Sequence, residues 1–92
     1  MKWPLLRYRI EGDSMCPTFQ SGDRVFVWRW GNIRAGDVVV FSRGGLTMVK
    51  RAAKKNGDRW TMRGDNLSAS SDSLDFGDVP EKDVIGKIVA TY

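Results

Sequence analysis

Three features of the chain predict an all-β fold. Six Gly-Asp dipeptides, beginning at Gly12, Gly22, Gly36, Gly57, Gly64 and Gly77, punctuate the 92 residues as turn signals. The runs between them are short and rich in β-branched and aromatic residues. No run sustains a helical period, and Ile33 to Gly36 is too short and glycine-broken to hold one. The expected architecture is a small, partly closed β-barrel of about six short strands, which protects the edges that an open sheet would leave bare. A chain of this length supports one modest core, so residues 1–92 are read as a single domain.

The predicted strands are Arg7–Glu11, Arg24–Trp30, Val38–Arg43, Leu46–Ala53, Arg59–Arg63 and Val84–Thr91. Alternation in the second places Val25 and Val27 on one face and Phe26, Trp28 and Trp30 on the other. Both faces are apolar, so the aromatic stripe either is sandwiched, the commoner fate of such stripes, or meets a ligand. Asp37-Val-Val-Val-Phe41 is continuously apolar and reads as a central strand. Gly44-Gly45 turns it into Leu46–Ala53. Lys54 to Asp58 is predicted as a polar hairpin loop, followed by the returning strand around Trp60-Thr-Met62. The serine-rich stretch from Arg63 to Gly77 is long for a loop in a compact domain, a length that usually signals function or disorder. Val79-Pro80-Glu-Lys-Asp83 then turns the chain into the last strand.

Composition removes whole classes of chemistry. With no histidine, Ser-His-Asp and Cys-His catalysis, a histidine base and His-liganded zinc are excluded. The single cysteine, Cys16, excludes an internal disulfide framework and any cysteine-cluster metal site. Asp65, Asp72, Asp75 and Asp78 match no calcium-loop spacing, and no cofactor or metal is expected. The net charge of +4 is mildly basic and falls short of a nucleic-acid footprint. Leu5-Leu6 between Pro4 and Arg7 is no signal-peptide core, and nothing approaches the ~20 apolar residues of a membrane span. A cytoplasmic location is the expectation.

One stretch carries a chemical suggestion, Glu11-Gly-Asp-Ser-Met-Cys-Pro-Thr-Phe-Gln-Ser-Gly-Asp23. Turn chemistry before Ser14 and a proline after it fix the backbone of a hydroxyl residue, as a nucleophile needs; a polar loop between strands is the plainer reading. Without histidine, a nucleophilic Ser14 would need a lysine or carboxylate base. In Leu46–Ala53 the alternation sets Lys50 beside Met48 and Ala52, and Arg51 beside Val49 and Ala53, so one cation must share an apolar face. Burial disfavours the ammonium form, and lowering a lysine from ~10.4 to ~7–8 requires about 4 kcal/mol that only the fold can supply. Taken alone, this strand reads better as carrying a surface lysine.

Three blocks in order, Gly12-x-Ser14-Met15-x-Pro17-Thr18 with Gly22-Asp23, then Val49-Lys50-Arg51, then Gly64-Asp65-Asn66 with Ser70-x-Asp72-Ser73 and Gly77, resemble the signature boxes of type I signal peptidases. The resemblance runs from about residue 10 to residue 90. It implies the catalytic-core fold shared by signal peptidases and LexA-type proteases, and Ser-Lys peptidase chemistry, which works without histidine. Ser14 then corresponds to the nucleophile and Lys50 to its general base, while Ser70 matches the serine that orients the lysine and Asp72 the carboxylate that braces the loop. The Ser14 N–H would be one oxyanion donor. Gly12 stands where bacterial signal peptidases commonly carry a serine that supplies another donor, so the second donor stays open. Leu74 replaces an arginine common in the third box, and the membrane anchors and large extra β-domain of the bacterial enzymes have no counterpart here.

The chain is still more similar to the small maturation proteases of nickel superoxide dismutase, in its length, its basic-aromatic start Lys2-Trp-Pro-Leu-Leu-Arg7 and its Ser70-x-Asp72-Ser73-x-Asp75-Phe76-Gly77 ending. That resemblance implies a protein substrate, the dismutase precursor, from which a short N-terminal leader is removed. Two rivals stand beside it. One is a LexA-type self-cleaving or signal-peptide-processing enzyme, and the other a single-stranded nucleic-acid-binding barrel using Trp28, Trp30 and Trp60 with Lys54, Lys55 and Arg59. No nucleic-acid partner is expected, and the aromatic stripe could hold a leader or touch a membrane surface.

Overall fold

The computed structural model describes residues 3–66 and 77–92. They form one seven-stranded sheet in which every pairing is antiparallel, with no α-helix among them. The strands are β1 (Leu5–Arg9), β2 (Arg24–Trp28), β3 (Val38–Arg43), β4 (Leu46–Asn56), β5 (Arg59–Arg63), β6 (Val79–Pro80) and β7 (Val84–Thr91), and a 3₁₀ turn at Glu81–Asp83 precedes β7. Their spatial order is β1-β2-β7-β3-β4-β5-β6. The chain's late strand β7 thus lies inside the sheet, joining the β1–β2 pair to β3.

The sheet does not close, because β1 and β6 remain its two edges. The reason lies in β3, whose Val38, Val39, Val40 and Phe41 are all buried. Successive side chains of a strand point to opposite faces. Val38 and Val40 enter a core with Ile10, Met15, Val25, Val27 and Val49, whereas Val39 and Phe41 enter another with Ala52, Trp60, Met62 and Val79. A barrel has one interior; this sheet coils around two, with β3 as their common wall. Register shifts in the ladders at Phe26/Val27, Val40/Phe41 and Ala52/Lys54 provide the local bends.

Three predicted strands have the expected bounds, and the others shift for local reasons. β1 starts earlier because the Arg29 N–H reaches the Pro4 carbonyl at 2.6 Å, and it ends earlier because Ile10 pairs instead with the neck of the next loop. β4 runs through Lys54 and Lys55 to Asn56, so the predicted five-residue loop shrinks to a two-residue turn at Gly57-Asp58, with Gly57 at φ +62°. β6, two residues paired with Arg59 and Trp60, is too short for a period to announce.

Of the aromatic stripe on β2, Phe26 and Trp28 are only half-buried and Trp30, beyond the strand, is 53 % exposed, so the stripe is not core. Phe26 stacks on Tyr92 at 4.5 Å and Trp28 meets Trp30 edge-on at 6.4 Å. Beneath them, a Cβ at Gly86 would lie 2.5 Å from the Trp28 carbonyl oxygen, so β7 passes β2 here only as glycine.

Candidate active site

Ser14 sits in the loop between β1 and β2, whose neck is tied by two backbone bonds. Ile10 N–H donates to the Asp23 carbonyl and Gly22 N–H to the Ile10 carbonyl, both at 2.8 Å. Gly12 and Gly22 take φ of +81° and +96°, conformations that side chains disfavour, which explains the glycine in both Gly-Asp turns. The Asp23 carboxylate accepts the Gln20 N–H at 2.9 Å, an Asx turn that shapes the returning half. Met15, 1 % exposed, plugs the first core directly after the serine. Burying such a side chain contributes roughly 1.5–3 kcal/mol, which anchors the loop where Ser14 must stand.

Lys50 arrives from β4, opposite Val39. It is 4 % exposed, the one buried charged side chain among the described residues. Ser14 and Lys50 line the same cleft of about 170 Å³, walled by Tyr8 and Ile10 at the end of β1 and by Thr47, Met48 and Val49 of β4. Residues 46 to 50 of β4 pair with β3 only, since β5 joins the strand from Arg51 onward. Among the described residues, then, β3 is the only strand that pairs with this part of β4, which borders the cleft. Burial, and then the Glu11 carboxylate, pushes the Tyr8 phenol above its ordinary range, so this wall stays uncharged.

Arg51, one residue on, holds the surroundings together. Its Nε donates to Asp65 Oδ1 at 2.8 Å and its Nη2 to Asp65 Oδ2 at 2.6 Å, a two-pronged pairing, while Nη1 donates to the Gly36 carbonyl at 2.6 Å. Thr18, from the serine loop, donates its hydroxyl to Asp65 Oδ2 at 2.6 Å. The Arg51 hydrogen bonds, and then that of Thr18, outweigh partial burial and hold the Asp65 carboxyl below the usual carboxylate range. Asn66 completes the attachment: its N–H donates to the Ser14 carbonyl at 2.9 Å and its Nδ2 to the Asp13 carbonyl at 3.0 Å.

Of the four residues singled out from the sequence, Ser14 and Lys50 are thus brought to one cleft, and Ser70 and Asp72 lie outside the described residues. Thr18, Arg51, Asp65 and Asn66 were legible as letters of the three blocks but had no role; the available signal was an arginine that cannot share its lysine neighbour's face and so needs an acidic partner. Asp65 and Asp78 are engaged otherwise than in a metal loop, Asp65 with Arg51 and Thr18 and Asp78 with Asn56 and Thr61. Trp60 is 2 % exposed in the second core, and three strands, β4, β3 and β7, separate its strand from that of Trp28. The three indoles make no common platform on which bases could stack.

An antiparallel sheet with a serine loop facing a buried lysine is the framework of a serine peptidase family, and the comparisons agree. The Peptidase S24-like family pattern matches residues 4–89, and the chain belongs to this family. It is 32 % identical to the signal peptidase complex catalytic subunit SEC11 of Metarhizium acridum over 86 % of its own length and 53 % of that protein's. It is 35 % identical to signal peptidase I S of Bacillus subtilis over 74 % of its own length and 39 % of the relative's. The chain therefore spans about half, or less, of the curated relatives it matches.

Proposed function

We propose that the chain is a Ser-Lys endopeptidase that removes a short N-terminal leader from a precursor protein. The observation that carries this reading is the shared cleft of Ser14 and the buried Lys50. In this mechanism neutral Lys50 takes the proton of the Ser14 hydroxyl as Oγ attacks the scissile carbonyl, and the carbonyl electron pair moves onto oxygen. The tetrahedral species collapses, Lys50 returns the proton to the departing amine, and an acyl ester remains on Ser14. Lys50 then takes a proton from water, whose attack on the ester frees the acid and restores the serine. Ser70 orients the lysine and Asp72 braces its loop, roles implied by the third sequence block. An extended substrate would lie along the cleft beside β4, its backbone held in strand-like fashion while shallow apolar walls select small side chains.

For the substrate, the nickel superoxide dismutase precursor is the reading that the sequence resemblance supports, with processing in the cytoplasm before export or metal loading. No helix among the described residues is long and apolar enough to cross a membrane. The test is incubation of the purified protein, without detergent or lipid, with that precursor and with a secretory preprotein, followed by mass spectrometry. Release of a short N-terminal peptide from the dismutase precursor alone is expected, and Ser14→Ala should release none. Cleavage of only the secretory preprotein would overturn the substrate, and undiminished cleavage by Ser14→Ala would overturn the mechanism.

A further inference from the structure

Attack on a peptide carbonyl needs a hydrogen-bond donor fixed where negative charge develops on oxygen, and the geometry around Asp13 and Ser14 indicates what fixes it. The Asp13 carbonyl accepts two donors, the Asn66 Nδ2 at 3.0 Å and the Cys16 N–H at 3.1 Å, which occupy both of its lone pairs. The Asp13–Ser14 peptide is trans, the one cis bond of the described chain being Cys16–Pro17. In a planar trans peptide the C=O and the following N–H point in opposite directions. Pinning the carbonyl toward Asn66 therefore aims the Ser14 N–H the other way. Among the described residues no hydrogen bond uses that N–H, although Ser14 lines the cleft. It is a backbone donor with a fixed direction and no acceptor among the described residues.

We infer that Asn66 is a positioning residue for the oxyanion hole: its side-chain amide, by holding the Asp13 carbonyl, sets the Ser14 N–H to receive the substrate's carbonyl oxygen as it becomes charged. This rests on the proposed role of Ser14 as nucleophile. Asn66 touches no reacting atom and acts through the Asp13–Ser14 peptide. The arrangement also bears on Gly12, which has no side chain to lend a donor. A hole with fewer side-chain donors depends more heavily on the direction of its backbone one. The second Asn66 contact, from its own N–H to the Ser14 carbonyl, survives any substitution except proline. The loop stays tethered in the variants, and the side-chain bond can be tested by itself.

The experiment compares wild type, Asn66→Ala and the near-isosteric Asn66→Asp, which places a carboxylate oxygen where the donor was. Asn66→Gln serves as the variant that retains an amide. The probes are an internally quenched peptide with small side chains before the scissile bond, the matching peptide aldehyde, and a matching uncleavable peptide amide. The aldehyde's adduct with Ser14 puts an oxyanion in the hole, whereas the amide reports ground-state binding only. Deleting an oxyanion donor outright costs roughly 10²–10³ in kcat, so a misaimed donor should cost about ten- to a hundredfold. Expected for Ala and Asp are that loss in kcat with KM and amide affinity held, a loss of aldehyde affinity by the same factor, and an unmoved midpoint of the pH–rate curve. Gln should recover part of the loss.

Wild-type kcat and aldehyde affinity in Asn66→Ala and Asn66→Asp would overturn the inference. So would equal losses for aldehyde and amide together with a lowered melting temperature, the pattern of a purely structural residue. If aldehyde binding to the wild type were indifferent to Ser14→Ala, the nucleophile assignment itself would fall. Aldehyde binding sensitive to Ser14→Ala but unchanged by the Asn66 variants would remove only the positioning role.

Discussion

Lys50 and Arg51 are neighbours on one strand with the same charge, and the pleat of β4 sends them into opposite circumstances. Lys50 is buried beside the serine loop, in the cleft. Arg51 is about one-third exposed and closes a carboxylate clamp with Asp65, Thr18 and the Gly36 carbonyl. The difference teaches that the pleat can give two adjacent cations separate surroundings. The first is withdrawn from solvent into the cleft, while the second stays paired with a carboxylate and pins the segment carrying Asn66 to the serine loop.

The widest separation between the two should appear on removing the cleft groups. Ser14→Ala and Lys50→Met, the latter keeping the stem's volume, should each lower cleavage by roughly 10³-fold or more, and the double variant should be no worse than either. Their melting temperatures should change little, because Ser14→Ala removes only a hydroxyl and Lys50→Met keeps the volume of the buried stem. Near-normal cleavage by either single variant would erase the distinction. In the wild type the rate should climb with pH through an apparent value below the ~10.4 of a solvated lysine, and a flat profile from pH 6 to pH 10 would argue against a lysine base.

Breaking the clamp should reverse the pattern. Asp65→Ala removes the acceptor of three hydrogen bonds and should cost about 1–2 kcal/mol of stability, after discounting for the exposure of Arg51. In a domain of this size that is a fall of roughly 4–15 °C in melting temperature, with a smaller loss of cleavage than at Ser14. Thermal melts that do not move would remove the clamp from the architecture.

Acid sharpens the same point. The Asp65 carboxyl is depressed by folding, so its stabilisation is present in full above the unfolded value of ~3.9 and is lost as pH falls through the lower folded value. Arg51, pushed up by its hydrogen bonds to Asp65, stays charged throughout this range. Melts between pH 5 and pH 2 should therefore show a steeper acid loss for wild type than for Asp65→Asn, and parallel curves would contradict this. The smallest effect is expected at half-buried Cys16, whose N–H to the Asp13 carbonyl is a backbone bond. Cys16→Ser should shift stability by no more than about 0.5 kcal/mol and leave cleavage at the wild-type rate, as a melt and a progress curve would show.

Strand identity was legible wherever a side-chain period or a glycine turn marked it. The alternation of Val25 and Val27 with Phe26 and Trp28 gave β2, and the unbroken Val38 to Phe41 gave a strand buried on both faces. Period says nothing about which strands meet, so the two cores and the open sheet were out of reach, and a barrel was the natural expectation from strand count alone. The same limit applied to the tryptophans. Trp60 and Trp30 look alike in the sequence, yet one is core and the other surface, because their strands lie in different parts of the sheet. At the candidate site, turns around Ser14 and apolar neighbours of Lys50 only raised the possibility, and the resemblance of the three blocks singled the two residues out. The Arg51–Asp65 pairing spans 14 residues and Thr18–Asp65 spans 47, separations that no local pattern encodes.

The interior position of β7 bears on how the protein is made. Until Val84–Thr91 have been synthesised, the β1–β2 and β3–β4 hairpins have no strand between them and share no ladder. A nascent chain on the ribosome can form these hairpins one by one, but the first core, which draws on both, cannot close around Met15. The loop bearing Ser14 therefore stays unanchored until the late strand slides into place, and the cleft comes into being only then. Pairing across a long sequence separation is a late event in folding, and here the assembly of the cleft waits on it.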